Sequence, residues 1–201
     1  MKIICIYNNY PITNKDFPTV EYPLFYLKPD TSILTNNRPF FIPEFSKDTH
    51  CQLEWVVRIG KLGKYVDEKF ASTYFQEWAV GVNIFDKFMQ AKCIQQGLPW
   101  EQGTAFENSA VISPFFSLET VSDFRSLELK LIKNNQEVFT ANTSAMIYSI
   151  EQLISYVSKY FTLKIGDLLF TGSPIPAISL AINDVLEVYV NDNPYMNFRI
   201  K

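Results

Sequence analysis

The sequence carries one histidine, His50, among 201 residues. That single count excludes a His-rich zinc site and leaves histidine-based acid–base chemistry one position. The three cysteines, Cys5, Cys51 and Cys93, are far apart and show no C-x-x-C spacing. Neither a disulfide framework nor a zinc centre is supported, and buried thiols are the expectation. Glycine is scarce, with 7 in the chain, about half the usual ~7%, so a Gly-rich phosphate loop is missing. Gly60-Lys61-Leu62-Gly63-Lys64 has no third glycine and no following Lys-Ser/Thr, and it reads as a turn after a strand. Positive charge is also short: 18 Lys and Arg stand against 21 Asp and Glu, for a formal net charge of −3. With no basic field to hold a phosphate backbone, nucleic acid is not an expected partner. No apolar run approaches the ~18 residues of a membrane span. The N-terminal run Ile3-Ile4-Cys5-Ile6-Tyr7 is too short for a signal-peptide core. The expectation is a soluble, cytoplasmic chain with no membrane partner.

What is present is a globular balance, 47% hydrophobic and 19% charged, in a length that suits one domain over residues 1–201. No internal repeat, low-complexity tract or linker divides it. Residues 1–7 read as a strand. Six prolines between Pro11 and Phe45 predict extended segments and loops, because proline is excluded from helix interiors and central strands. Leu53–Ile59 is a β-branched run ending at Gly60, a strand on which Gln52 and Glu54 point to one face. Two helices are predicted. One runs from about Asn83 to Gln96 and stops at Gly97-Leu98-Pro99, with Asn83 as a favoured N-cap. The other runs from Ile150 to Phe161, opened by a capping box of Ser149 and Gln152. Short β-rich runs at 109–116, 126–132, 136–140, 167–171, 185–190 and 195–200 fill the rest. Asp192-Asn193-Pro194 is the expected turn between the last two. The class is α+β, dominated by strands, with a few short helices.

Several stretches, taken together and in order, resemble the fumarylacetoacetate hydrolase family. They are Leu27-Lys28-Pro29-Asp30-Thr31, Gln52 to Lys61, Gly97-Leu98-Pro99-Trp100, Asn142-Thr143-Ser144-Ala145-Met146 and Lys164 to Pro174. The resemblance covers nearly the whole chain and implies a mixed β-sandwich roll and a homodimer. It also implies a chemistry: hydrolysis, decarboxylation or isomerisation of 2-oxo acids such as acylpyruvates, with Mg²⁺ or Mn²⁺. A hard divalent cation needs anionic oxygens, which the family supplies as Glu-x-Glu on a strand plus a later Asp. The metal chelates the substrate and stabilises an enolate, a His–Glu pair activates water, and a lysine holds developing charge.

Carried onto this sequence, those positions are largely altered. The metal-ligand positions fall on Gln52, Glu54 and Asn83, so two carboxylates have become amides and only Glu54 keeps its charge. Each close charge pair is worth roughly 4 kcal/mol at an effective dielectric near 20, so a tight Mg²⁺ site is not expected. The catalytic His–Glu pair falls on Thr13 and Asp16, and the lysine on Thr104. Thr13 is no base near neutral pH. An Asp of the family becomes Ala145, and glycines after Thr-Gly-Thr-Pro become Ile175 and Pro176. Polar groups persist at the substrate-contact positions Lys87, Gln90 and Ser173, where Lys87 replaces an arginine and loses its fork.

The alterations gather on the reacting centre while scaffold motifs stay intact. They imply a non-catalytic relative that binds a small organic acid or a partner chain. An active hydrolase or isomerase with a weakened metal site stands as the alternative. A third reading is a metal-independent enzyme using His50 or Asp16.

Overall fold

The computed structural model describes residues 1–11, 21–174 and 176–201. In chain order the strands and helices are β1 (Lys2–Tyr7), β2 (Leu24–Pro29), β3 (Ile33–Leu34), β4 (Thr49–Ile59), α1 (Glu68–Ala71), β5 (Phe75–Asp86) and α2 (Lys87–Gln95). There follow β6 (Ala110–Ile112), β7 (Phe116–Ser117), β8 (Glu128–Lys133), β9 (Gln136–Asn142), α3 (Ile150–Val157), β10 (Leu168–Phe170), β11 (Ile178–Ser179), β12 (Val185–Val190) and β13 (Asn193–Arg199). The larger sheet runs β2-β1-β10-β4-β5-β6-β3, with β11 and β7 added to β4 and β5. It is mixed, because β1 pairs β10 and β3 pairs β6 in parallel. The smaller sheet, β13-β12-β8-β9, is antiparallel. The strand-dominated α+β roll is the architecture that the sequence implies.

Strand alternation divides the larger sheet into two faces. Ile4 and Ile6 of β1, Trp55 and Val57 of β4, and Val80 and Val82 of β5 share a core with Leu129 and Leu131 of β8 and Leu186 and Val188 of β12. Leu153, Ile154 and Val157 of α3 pack into the same core. Residues of the opposite parity, Ile3, Cys5, Val56, Ala79 and Phe170, form a second buried cluster. All three cysteines are buried and unpaired, as expected from their spacing.

The register explains where the polar residues go. Tyr26 pairs Cys5, Cys5 pairs Phe170, Phe170 pairs Val56 and Val56 pairs Ala79, one row across five strands. Two residues further toward the N-terminus of β4 is Glu54, opposite Gly81, and two more is Gln52, opposite Asn83. A one-residue slip of β4 would turn all of these into the other core.

Four expectations are corrected. Asn83 opens no helix: it lies inside β5, a strand of 12 residues, and α2 begins at Lys87. The true N-cap is Asp86, whose carboxylate accepts from Met89 N at 3.0 Å and Lys47 N at 2.9 Å. The apolar run Val80–Phe85 is buried on both faces, a pattern that periodicity alone does not separate from a helix start. The last hairpin turns on Asn191-Asp192, both at positive φ, whereas Asn193 and Pro194 already belong to β13. The strand expected over Leu53–Ile59 begins earlier, at Thr49, so His50 sits within β4, buried, with Nδ1 3.2 Å from the Asp48 carbonyl oxygen. The capping box at α3 is present in both halves, and the helix ends at Val157 rather than Phe161.

Scarcity of glycine is met by asparagine. Among the described residues ten non-glycine positions have positive φ, and eight are Asn: 8, 36, 37, 108, 134, 135, 183 and 191. A short amide side chain tolerates that region by bonding locally to the backbone.

Candidate active site

A cavity of about 700 Å³ opens at the end of β1, β4 and β5 where the second face meets the loop after β10. Gln52, Glu54, Asn83, Lys87, Gln90 and Ser173 all line it. The structure thus brings together six of the residues singled out in the sequence. Thr104 is elsewhere: it is buried in the turn after Glu101–Gly103, its hydroxyl donating to the Trp100 carbonyl at 3.4 Å. His50 is not among the lining residues. Ala145 is exposed at the end of a one-turn helix. Thr13, Asp16 and Ile175 lie outside the described residues.

Glu54 is 1% exposed and both its oxygens are held. Oε1 accepts from Asn83 Nδ2 at 2.7 Å and Oε2 from the Gly172 backbone N–H at 2.8 Å. Burial pushes its carboxyl up to about 7, and the Asn83 bond, the Gly172 bond and the nearby Lys28 charge pull against that rise. Gly172 is required by geometry. Its φ is +91°, and a Cβ there would meet the Asn9 Cβ at 2.9 Å. Asn9 is the clamp on the other side. Its Nδ2 donates to the carbonyls of Thr171 at 2.9 Å and Tyr148 at 3.1 Å, and its Oδ1 accepts from Tyr148 N at 2.9 Å.

The Asn83 amide donates a second time, to Tyr26 Oη at 2.8 Å. Burial drives the Tyr26 phenol well above its ordinary range, so it stays protonated. Behind this row Lys28 is buried on β2, its ammonium donating to the Ile84 carbonyl at 3.0 Å and to Ser109 O and Oγ at 2.8 and 3.1 Å. Burial lowers it to about 8. The same Ser109 hydroxyl bonds the Thr104 carbonyl at 3.2 Å, so Thr104 supports the floor from outside the cavity. Lys87 and Gln90 reach the cavity from the first turn of α2. That turn is fixed by Gly103, where a Cβ would sit 2.8 Å from Gln90 N. Ser173 Oγ donates to the Leu53 carbonyl at 2.8 Å and ties the loop after β10 to β4. Tyr10, Tyr26, Lys28 and Gly172 were not singled out as site residues. Lys28 and Gly172 lie in stretches that carry the resemblance, whereas Tyr10 and Tyr26 lie outside them, and none bears a role that composition reveals.

The donor set does not fit a tightly held Mg²⁺ or Mn²⁺. Among the described residues no group of three His, Cys, Asp or Glu side chains is clustered. The one carboxylate at the family's ligand positions already accepts an N–H on each oxygen, and its two partner positions carry neutral amides in place of anionic donors. No helix of the described residues is long and apolar enough to cross a membrane.

Comparison with known proteins places these features. The chain is 32% identical to the mitochondrial oxaloacetate tautomerase FAHD1 of Mus musculus over 201 residues, 99% of this chain and 91% of that protein. The crystal structure of a fumarylacetoacetate hydrolase family protein from Yersinia pestis CO92 superposes with a TM-score of 0.94 at 30% identity, covering 100% of this chain and 93% of the other. The fold is shared also with fumarylpyruvate hydrolase from Pseudomonas aeruginosa, solved with Mn²⁺ and pyruvate, at a TM-score of 0.90 and 24% identity over 100% and 89% of the two chains. The model of the fumarylacetoacetate hydrolase C-terminal domain matches residues 2–201. With that span and the intact roll, the chain belongs to the fumarylacetoacetate hydrolase family.

Proposed function

We propose that this chain is a metal-independent member of the family whose cavity binds a small carboxylate without catalysing the family's C–C cleavage. The observation that carries the reading is the 2.7 Å hydrogen bond from Asn83 Nδ2 to Glu54 Oε1. An amide proton takes up the negative charge that a divalent cation takes up in metal-dependent relatives. Two neutral amides at the ligand positions forfeit most of the electrostatic attraction for a cation. Lys87 and Gln90 at the mouth suit a carboxylate without a metal. The homodimer implied by the resemblance belongs to the same proposal, and sedimentation of the purified chain tests it.

The experiment is calorimetric titration with Mn²⁺ in the presence of oxalate, a mimic of the chelating 2-oxo acid. The native chain is expected to give no metal-dependent heat, and the Gln52→Glu/Asn83→Asp double substitution to bind. Micromolar Mn²⁺ binding by the native chain would sink the proposal.

One observation favours a second reading, an enzyme that moves a proton without breaking a C–C bond. A buried carboxyl titrating near 7 has the acidity of a general acid–base group at neutral pH, and the mouse relative is named a tautomerase. Enol decay of oxaloacetate, measured with the native chain and Glu54→Gln in a chelator, separates the two. Acceleration by the native chain alone supports the second reading.

A further inference from the structure

Two loops are zipped together where β4 ends, one joining β4 to α1 and the other joining α3 to β10. Gly166 N donates to the Ile59 carbonyl at 2.8 Å, Gly63 and Leu163 exchange backbone bonds of 3.0 and 2.7 Å, and Tyr65 N donates to the Ser158 carbonyl at 3.0 Å. The cavity lies toward the start of β4, where Gln52 and Glu54 line it. Residues 60–66 and 158–166 hold four lysines and no Asp, Glu or Arg, in a chain whose net charge is −3. Each of these lysines is followed by an apolar or aromatic residue. The first loop carries Lys61-Leu62 and Lys64-Tyr65, the second Lys159-Tyr160 and Lys164-Ile165. All eight residues are exposed, Tyr65 and Ile165 by 71% and 72%.

Among the described residues none of the four lysines forms an ion pair. Three of their ammoniums lie over aromatic rings instead: Lys61 over Tyr74 at 5.1 Å, Lys64 over Tyr65 at 4.8 Å and Lys159 over Tyr156 at 5.7 Å. Lys64 Nζ also donates to the Lys159 carbonyl at 3.0 Å. Of the acids flanking the loops, Asp67 pairs with Lys69 and the buried Asp167 with Lys2, which leaves Glu68 of α1 exposed. Single exposed apolar residues are ordinary, but four gathered among four uncompensated ammoniums ask for a partner both anionic and apolar.

We infer that this end of the roll docks on an anionic lipid bilayer. The lack of an apolar span, from which no membrane partner is expected, excludes crossing and leaves docking open. Leu62, Tyr65, Tyr160 and Ile165 enter the boundary between headgroups and acyl chains, and the lysine stems lie along them with the ammoniums held at the headgroups. Tyrosine suits that boundary because its ring is apolar and its hydroxyl wet. A protein partner fits less well. Protein interfaces are depleted in lysine and enriched in arginine, whose planar fork reads carboxylates bidentately, and these loops carry lysine alone. A point charge on a long stem matches a laterally mobile field of headgroups. Docked this way, the molecule keeps its cavity open to water, whatever that cavity binds.

The test is sedimentation of the full chain with vesicles of phosphatidylcholine alone and of equimolar phosphatidylcholine and phosphatidylserine. The mixed vesicles are expected to bind at least about tenfold more tightly, and the difference should shrink as salt is raised. Lys64→Gln/Lys164→Gln, with its melting temperature checked, should weaken that binding about tenfold or more, at roughly fivefold per lysine. Lys92→Gln, on α2, is the control and should leave it unchanged. Ile165→Trp should gain blue-shifted emission on the mixed vesicles and none on phosphatidylcholine. Equal binding to both compositions, or none to either, overturns the inference. Binding that survives the double substitution belongs to another face and overturns this assignment. Binding to polyglutamate with none to vesicles assigns the patch to an acidic protein and overturns the lipid.

Discussion

Asn83 and Glu54 lie on adjacent antiparallel strands, and the amide of one donates to the buried carboxylate of the other at 2.7 Å. Neither residue sits directly opposite the other: Glu54 pairs with Gly81 and Asn83 with Gln52. The bond is therefore diagonal, and the missing side chain at Gly81 leaves the space beside Glu54 to Phe170 and Val56. Single substitution Asn83→Asp would put two carboxylates in hydrogen-bond range with no donor between them. It should destabilise the chain by about 3 kcal/mol, the cost of a broken buried charged pair, and added Mn²⁺ should restore part of that. Chemical denaturation with and without Mn²⁺ reads both effects.

The Glu54 carboxyl is raised from the ordinary carboxylate range to about 7 by burial. The unfolded chain binds fewer protons than the native one between about 4.3 and 7, so stability falls as pH rises through that window and levels off above it. Glu54 should contribute a loss of about 3 kcal/mol between pH 4.5 and 7.5. Lys28, lowered to about 8, acts with the opposite slope but only above that range. Urea titrations from pH 5 to 7.5 should show the slope in the native chain and a flatter curve in Glu54→Gln. Identical slopes would mean that the carboxyl titrates normally.

Gly172 combines φ of +91° with a backbone N–H on Glu54. Gly172→Ala should cost about 2 kcal/mol through strain in the left-handed region, beyond the contact with Asn9. Gly97, also at positive φ but with open space around its Cβ position, is the control. Gly97→Ala should cost less than Gly172→Ala, and the difference in urea midpoint measures the contact.

Ser149→Ala removes one half of the capping box at α3, where Ser149 Oγ accepts from Gln152 N and Gln152 Oε1 accepts from Ser149 N. The expected loss is about 1 kcal/mol. Because α3 packs Leu153, Ile154 and Val157 into the core that also holds the smaller sheet, the loss should register as a lowered global midpoint. A separate early transition would contradict the shared core.

Legibility was uneven for physical reasons. Short strands bounded by turn residues could be read, and β12 matches its expected span of 185–190. The second half of β5 was misread because a strand buried on both faces loses its period of two, and Asn83 resembles a cap only until its neighbours across the sheet are known. Pro194 reads as a turn residue from its type, but it pairs with Tyr189 beside a bulge at Tyr195 on β13, where a missing N–H does no harm.

The sequence by itself determined the family, the strand-dominated class and the loss of charge at Gln52 and Asn83, because side-chain chemistry and motif order are written in the chain. Only the tertiary structure decided what replaces that charge. Pairing register sets Asn83 one step diagonally from Glu54, and the positive-φ turn at Gly172 brings a backbone N–H to the other oxygen. Segments far apart in sequence bring Tyr10, Asn83 and Ser173 to line the same cavity. Such juxtapositions depend on register and loop closure between distant segments, which local composition does not encode.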